Sequence, residues 1–272
     1  MSCDSTNCSS CSSKGACGSI KKFLAKGGII HHIIGVMSGK GGVGKSTVTS
    51  LLANEMRKKG YRVGILDADI TGPSIPHSFG VSKKLVGDSN KMFIPNLSKG
   101  GIKIVSTNLI LEDPNQPVVW RGPILASAVQ QFYDSTKWET LDYLFVDMPP
   151  GTSDVALTVY QSIPLDGIIM VTSPQSLVEM VVSKALNMAN KMNVKVLGVV
   201  ENMSYIVCPD CGKKIEIYGK SHLNEICEKF HLIPLAKLPI NSEVSNLMDS
   251  GNIEDFTTRD LDLTISIIEG MK

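Results

Sequence analysis

The chain has 272 residues, of which 43% are hydrophobic, so it can form one large core with at most a small appendage. Its formal net charge of +1 argues against a nucleic-acid partner, and no segment approaches the roughly 18 consecutive apolar residues of a membrane helix. The first residues also lack the positive segment and apolar run of a secretory signal. We therefore expect a cytoplasmic protein that binds neither a membrane nor nucleic acid.

Residues 1–28 are rich in Ser, Cys, Lys and Gly and are too polar to bury a core, which predicts a flexible tail. The tail carries four of the seven cysteines, at Cys3, Cys8, Cys11 and Cys17. An odd number of cysteines in a reducing compartment favours metal or redox chemistry over a disulfide framework. Four thiolates on one peptide can hold an iron–sulfur cluster within one chain, while a zinc site or a disordered tail is the alternative.

From residue 29 to residue 272, short apolar runs alternate with helix-like stretches, which predicts a single domain. The runs are rich in Val and Ile and do not alternate with polar residues, as in strands that are buried on both faces. Alternation of strands and helices predicts right-handed crossovers and an α/β fold with a doubly wound, mostly parallel sheet. An insert that bears Cys, Gly and Lys interrupts this alternation at residues 203–222.

The predicted elements can be placed in chain order. The strands are Ile29–Met37, Arg62–Leu66, Ile102–Ser106, Tyr143–Val146, Gly167–Thr172 and Val194–Val200, with a weaker candidate at Leu232–Leu238. The helices are Lys45–Lys59, Ile124–Ser135, Asp154–Ile163 and Gln175–Lys191. The acidic segment Ile253–Lys272 is predicted to be a closing helix, and Cys227 is predicted to be buried in a further helix.

A glycine-rich loop with the Walker A spacing G-x-x-x-x-G-K-[ST] joins the first predicted strand to the first predicted helix. Its residues are Gly39, Lys40, Gly41, Gly42, Val43, Gly44, Lys45 and Ser46. Its backbone amides and the helix N-terminus are suited to phosphate groups, so we predict a P-loop ATPase that binds Mg-ATP. Lys45 is the candidate contact to the β- and γ-phosphates, Ser46 a candidate Mg²⁺ ligand, and Thr47 a candidate α-phosphate contact. The alternative, a glycine-rich turn without a ligand, does not require this full spacing.

Lys40 adds a second lysine near the start of the loop. It resembles the deviant Walker A of the group that contains partition ATPases and the nitrogenase iron protein. In that group this lysine reaches across a dimer interface to the partner's nucleotide. The resemblance implies a homodimer whose closure depends on ATP and in which Lys40 is a catalytic residue, while a solvated lysine is the alternative.

Acidic residues follow two of the predicted strands, at Asp67, Asp69 and Asp147. Ligands of open α/β sheets bind beyond the carboxyl ends of the strands, so these side chains should face the phosphate loop. Asp147 fits a Walker B carboxylate that holds the Mg²⁺ shell. We predict that Asp69 orients the attacking water or senses the γ-phosphate, and that Asp67 supports the Mg²⁺ shell. Helix capping or turn formation is the alternative role for each.

Together these segments resemble the Mrp/ApbC family of iron–sulfur cluster carrier ATPases. The matching segments are Gly39–Ser46, Asp67–Pro76, Trp120–Pro123, Asp147–Asp154, and Glu201–Ser204 followed by Cys208–Gly212. The resemblance covers residues 29–250 and keeps the order of the family's motifs. It implies that Asn202 contacts adenine, for which a turn residue at a strand end is the alternative.

Cys208 and Cys211 provide two thiolates on one short turn, which is too few for a four-coordinate site. Two copies of the chain near a two-fold axis would supply four. The resemblance implies such a shared, labile 4Fe–4S cluster and its transfer to apo iron–sulfur client proteins. A zinc site and a thioredoxin-like redox pair are the competing interpretations.

Our hypothesis from the sequence is therefore an ATP-dependent carrier of 4Fe–4S clusters. One rival is an ATP-gated electron donor like the nitrogenase iron protein, in which the two ligands of each subunit come from separate loops. The other is a partition or positioning ATPase, but the acidic segment 253–272 differs from the basic amphipathic helix that such proteins use on membranes.

Overall fold

The computed structural model describes residues 25–69, 74–109, 122–151, 154–174 and 178–271. The four cysteines of the predicted N-terminal cluster site lie outside the described residues, as does most of the tail. The predictions for Cys3, Cys8, Cys11 and Cys17 therefore stay predictions.

Strands and helices alternate through most of the chain. The strands are β1 (Gly28–Ser38), β2 (Val63–Asp67), β3 (Val86–Gly87), β4 (Phe93–Ile94), β5 (Asn96–Leu97), β6 (Lys103–Ser106), β7 (Glu139–Asp147), β8 (Gly167–Thr172), β9 (Val196–Val207), β10 (Lys214–Ile215) and β11 (Pro234–Pro239). The helices are α1 (Lys45–Lys58), α2 (Ile75–Ser78), α3 (Gly122–Asp134), α4 (Asp154–Ser162), α5 (Val178–Lys191), α6 (Leu223–Phe230), α7 (Ser242–Asp249) and α8 (Asp262–Glu269). Short 3₁₀ turns occupy Thr107–Leu109 and Ile253–Asp255.

The main sheet has the order β10-β9-β8-β1-β7-β2-β6-β5, and β11 also pairs with β9. The pairs among β1, β2, β6, β7, β8, β9 and β11 are parallel, whereas β5 and β10 are antiparallel to their neighbours. β3 and β4 form a separate two-stranded ribbon. The predicted α/β fold with a doubly wound, mostly parallel sheet is confirmed.

Two buried clusters explain why the inner strands read as continuous apolar runs. Every residue of β2 and of β8 is buried. Within β2, Ile65 belongs to the cluster that includes Val48 of α1, and Leu66 belongs to the cluster that includes Tyr160 of α4. Adjacent residues of a strand point to opposite faces, so helices cover the sheet on both sides. This packing fixes the carboxyl ends of β1, β2 and β7 side by side.

Two predicted boundaries differ most from the structure. The strand predicted at Val194–Val200 extends to Val207, because β10 pairs with Ile206 and Val207 and so continues the ladder into the predicted insert. The cysteine-bearing segment is consequently a hairpin on the end of a sheet strand, rather than an insert that begins at residue 203.

The closing helix predicted at Ile253–Lys272 is shorter than expected, since α8 covers only Asp262–Glu269. The cause lies in α1, where the fully buried Asn54 donates from Nδ2 to the carbonyl oxygens of Ile253, Glu254 and Phe256 at 3.3, 3.2 and 3.0 Å. Carbonyl groups that point toward Asn54 do not at the same time accept the backbone hydrogen bonds of an α-helix. The segment before α8 therefore wraps α1 as irregular chain.

Candidate functional site

The phosphate loop lies between the end of β1 and the start of α1, as the sequence predicts. Gly42 and Gly44 have φ values of 79° and 78°, in the left-handed region that favours glycine. A Cβ on Gly44 would also lie 2.1 Å from Nδ2 of Asn202. Because α1 begins at Lys45, the unpaired amides of its first turn face the loop and can receive an anion.

Lys45 is buried and lies among carboxylates. Its Nζ is 2.8 Å from Oδ2 of Asp147 and 3.3 Å from Oδ2 of Asp69. Burial opposes the charge of the lysine, but the attraction of Asp147 and Asp69 outweighs it and raises the pKa of Lys45. The lysine is therefore a cation held beside the loop.

Asp147 is fully buried at the end of β7 and accepts hydrogen bonds from two hydroxyl groups of α1. Ser46 Oγ donates to its Oδ2 at 2.6 Å, and Thr49 Oγ1 donates to its Oδ1 at 2.7 Å. Carboxylate and hydroxyl oxygens are the donor type that Mg²⁺ prefers, so Ser46 and Asp147 fit a magnesium site. The sequence analysis missed Thr49, although its position four residues after Lys45 places it on the same face of the helix.

The two other predicted acidic residues lie next to this pair. Asp67 is opposite Asp147 in the register of β2 and β7, and it accepts from Ser106 Oγ at 3.1 Å. Its second oxygen accepts the backbone N–H of Asp69 at 3.1 Å. Burial and the charge of Asp147 raise the pKa of Asp67 well above its usual value. The structure thus brings together all three predicted carboxylates, and it adds Ser106, which no motif indicated.

The segment that follows β7 is attached to the phosphate loop. The backbone N–H of Gly151 donates to the carbonyl of Ser38 at 2.7 Å, and that of Met148 donates to Val36 at 3.0 Å. Ser38 in turn donates from Oγ to the carbonyl of Lys40 at 2.9 Å. Lys40 itself is half-buried on the loop. Residues 148–151 are therefore hydrogen-bonded to the strand end that carries the phosphate loop.

Asn202 lies within β9, not at a strand end, and its Nδ2 donates to the carbonyl of Val43 at 3.0 Å. A cavity of about 130 Å³ opens beside it. Its walls include Thr47, Asn202, Met203, Leu238, Pro239 and Val244. Two amides, of Asn202 and Asn241, lie among walls that are mostly apolar by area, and this combination suits a flat heterocycle. Sequence analysis missed the walls from β11 and α7, because they are far from Asn202 in sequence and belong to no motif that we recognised.

The second candidate site is the thiol hairpin, residues 206–215, formed by the end of β9, a tight turn and β10. The N–H of Cys208 donates to the carbonyl of Lys213 at 3.0 Å, and that of Gly212 donates to the carbonyl of Cys208 at 2.9 Å. Cys211 is exposed and Cys208 is half-buried. The backbone N–H groups of Cys211 and Asp210 lower the pKa of Cys208, which favours its thiolate.

The described part of the chain contains no group of three or more His, Cys, Asp or Glu residues arranged to hold a metal ion. The hairpin therefore offers two thiolates per chain. The other described cysteine, Cys227, is buried in α6 as predicted, and burial raises the pKa of its thiol to about 11. It is not accessible for the chemistry of the hairpin. Across the ranges that the structure describes, no helix is both long and apolar enough to span a membrane.

The parallel sheet and the phosphate loop, with a buried lysine and acidic strand ends, define a P-loop NTPase. A family model described as "ParA: NUBPL iron-transfer P-loop NTPase" matches residues 29–268, and the chain belongs to this family. The resemblance seen in the sequence is thereby confirmed.

Relatives of known name agree with this assignment. The chain is 46% identical to the iron-sulfur cluster carrier protein of Clostridium perfringens, over 97% of this chain and 95% of that one. It is 40% identical to the protein of the same name from Methanocaldococcus jannaschii, over 92% and 89% of the two chains.

Solved structures extend the comparison. A nucleotide-binding protein of Archaeoglobus fulgidus, in complex with ADP and with cobalt, is 40% identical, with a TM-score of 0.77 over 89% of this chain and 93% of that one. The cell division ATPase MinD of Pyrococcus furiosus is 17% identical, with a TM-score of 0.61 over 88% and 97% of the chains, and this likeness shows the fold alone.

Proposed function

We propose that this protein binds and hydrolyses ATP and couples that cycle to the transfer of 4Fe–4S clusters to apo-proteins. One observation carries the proposal. The strand β9 holds Asn202 against the phosphate loop and, six residues later, presents Cys208 on an exposed hairpin. The names of the relatives, iron-sulfur cluster carrier proteins, support the same function.

At the nucleotide site, Gly39 to Ser46 surround the phosphates, Thr47 contacts the α-phosphate, and Asn202 faces the base. Ser46 and Asp147 would hold Mg²⁺, with Asp67 in support, and the ion would supply positive charge to offset that of the γ-phosphate. Lys45 then turns from the carboxylates toward the phosphate oxygens. Asp69, which is buried beside Lys45, orients the attacking water.

At the thiol hairpin, the cluster is the cargo. Two copies of the chain provide Cys208 and Cys211 twice, which completes four thiolate ligands in a homodimer. In that dimer Lys40 reaches the partner's nucleotide. The exposure of Cys211 supports transfer rather than permanent storage, because an acceptor can approach the sulfur. Free thiols of this kind are suited to a reducing compartment such as the cytoplasm.

Anaerobic reconstitution with iron and sulfide tests the proposal. We expect 4Fe–4S absorbance that is lost from the hairpin site in a Cys208→Ser, Cys211→Ser variant. The matched control is Cys227→Ala, which removes a buried thiol and should leave cluster assembly intact. Iron and sulfide per chain are measured in each variant, so that a cluster held by Cys3, Cys8, Cys11 and Cys17 is counted separately.

Three results would contradict the proposal. One is unchanged iron and sulfide content after both hairpin cysteines are replaced. Another is zinc, rather than iron, in protein purified without oxygen. The third is a cluster that stays on the protein during ATP turnover and passes electrons without leaving, which would favour the electron-donor interpretation instead.

A further inference from the structure

Strand β9 consists of two parts with different neighbours. Up to Glu201 it lies between β8 and β11, with the pairs Thr172↔Glu201 and Lys237↔Glu201. The next pair with β11 is Pro239↔Tyr205, so β11 advances by two residues where β9 advances by four. Two extra residues in one strand form a bulge, and here the bulge spans Asn202 to Ser204.

The backbone at the centre of this bulge is strained. Met203 has a φ of 59°, in the left-handed region that a residue with a Cβ rarely occupies. Its side chain forms part of the wall of the cavity beside Asn202. The tip of the side chain also approaches the phosphate loop, since a Cβ built on Gly44 would lie 3.6 Å from Cε of Met203. The strain is therefore located where a nucleotide base would be in contact.

Beyond the bulge, the strand keeps one pair with β11, at Tyr205, and then continues into the hairpin. Ile206 and Val207 pair with β10, and the turn that follows carries Cys208 and Cys211. Burial falls along the same path, from fully buried Val199 and Val200 to half-exposed Val207. The thiol hairpin is thus joined to the sheet through the bulge at Met203 and through the pairing of Tyr205 with β11.

We propose that Met203 is the positioning residue that couples the nucleotide cavity to the thiol hairpin. The bulge acts as a hinge with two arrangements, and a base that fills the cavity selects one of them, which moves Cys208 and Cys211 relative to the sheet. This inference rests on the proposed function in one respect, that the nucleotide base lies beside Asn202. Coupling of this kind is reciprocal, so a ligand on the hairpin changes the affinity for nucleotide by the same factor.

The test measures thiol alkylation on the reduced, metal-free full chain under anaerobic conditions. Iodoacetamide labelling of the peptide that contains Cys208 and Cys211 is followed by mass spectrometry, with and without saturating Mg-ADP. In the wild type we expect the labelling rate to change by about fivefold or more, the lower end of typical coupling. Met203→Gly should bring this ratio close to one, because glycine adopts a positive φ without strain and the hinge no longer responds to the base.

Two variants serve as controls. Met203→Leu keeps both the strain and an apolar side chain of similar size, and it should retain the wild-type ratio. Asn193 lies in the exposed turn before β9 and also has a left-handed backbone, with a φ of 53°. Asn193→Gly relieves that strain away from the cavity and should retain the wild-type ratio. The affinity of each variant for ADP is measured first, so that every comparison is made at saturation.

A second measurement needs no variant. Amide hydrogen exchange at Tyr205–Ile215 should change on addition of Mg-ADP, while exchange at Val196–Glu201 stays constant. Three results overturn the inference. The labelling ratio of the wild type is one, the Met203→Gly variant has the same ratio as the wild type, or Met203→Gly is the one variant that no longer binds ADP. The proposed function can fail separately. A labelling ratio that depends on nucleotide, without any cluster assembly, supports the hinge and contradicts the carrier function. Cluster transfer with a labelling ratio of one supports the carrier function and contradicts the hinge.

Discussion

Gly42 and Gly44 have almost the same φ, but their surroundings differ. A Cβ on Gly42 would have no heavy atom within 4 Å, whereas a Cβ on Gly44 would collide with the amide of Asn202. That amide is held by the carbonyl of Val43. Gly44 is therefore the point where the phosphate loop and β9 touch, and its missing side chain permits this contact.

We predict that Gly44→Ala destabilises the nucleotide-free protein more than Gly42→Ala does. Both substitutions place a Cβ at positive φ, which costs about 1–2 kcal/mol. Only Gly44→Ala also displaces Asn202, so its free energy of unfolding should fall by roughly 1 kcal/mol more. Urea unfolding of both variants without nucleotide is the measurement. Equal losses in the two variants would show that Asn202 is not held against the loop.

At the scale of elements, α1 organises the nucleotide side of the molecule. Its N-terminal end provides Lys45, Ser46 and Thr49 to the site, while Asn54, further along the helix, fixes the segment before α8. Asn54 is fully buried. The same helix thus supports the site at one end and the C-terminal segment at the other.

Asn54→Ala should lower the free energy of unfolding by about 1–3 kcal/mol, because it removes the hydrogen bonds that hold the carbonyls of Ile253, Glu254 and Phe256 against α1. The matched control is Asn90→Ala, at an exposed position, where we expect a change within about 0.5 kcal/mol. Chemical denaturation of the two variants in parallel provides the comparison. A loss of similar size at both positions would contradict the role given to Asn54.

Local sequence patterns were sufficient to predict some of the strands and helices but not others. The strand Gly167–Thr172 and the start of α1 at Lys45 agree with the prediction, because a buried apolar run and a Walker A motif are visible within a few residues. β3, β4 and β5 have two residues each and show no period. The extension of β9 depends on pairing with β10, and the shortened closing helix depends on Asn54.

The same distinction applies to the candidate site. Asp67 and Asp147 were predicted because parallel strands end at one edge of a sheet, which is a general rule of the fold. Ser106 and the walls of the cavity beside Asn202 come from β6, β11 and α7, and only the assembled sheet brings them together. Met203 lies in the matching segment Glu201–Ser204, but its strained backbone could not be predicted, since a positive φ is not visible in the residue type.

For the molecule as a whole, the central prediction concerns assembly. One chain has a mass of 29.3 kDa, and Mg-bound non-hydrolysable ATP should convert it to a species of twice that mass. Lys40→Ala should weaken this dimer by tenfold or more, since a charge-assisted contact to phosphate contributes about 1.5–3 kcal/mol. Light scattering with and without nucleotide measures the mass.

Lys84→Ala is the control, because Lys84 is exposed and distant in sequence from the loop. It should dimerise like the wild type. If Lys40→Ala does so as well, Lys40 does not act across a dimer interface. A chain that remains a monomer under all nucleotide conditions would remove the shared cluster site in its present form.

The order of strands also has a consequence for synthesis on the ribosome. β1 is the first described strand in chain order, yet it lies in the middle of the sheet, between β7 and β8. These partners are translated roughly 100 residues later, which at about 5–20 residues per second takes on the order of 5–20 s. During that interval an apolar strand lacks both of its final neighbours, and unpaired apolar strands of this kind are prone to aggregation.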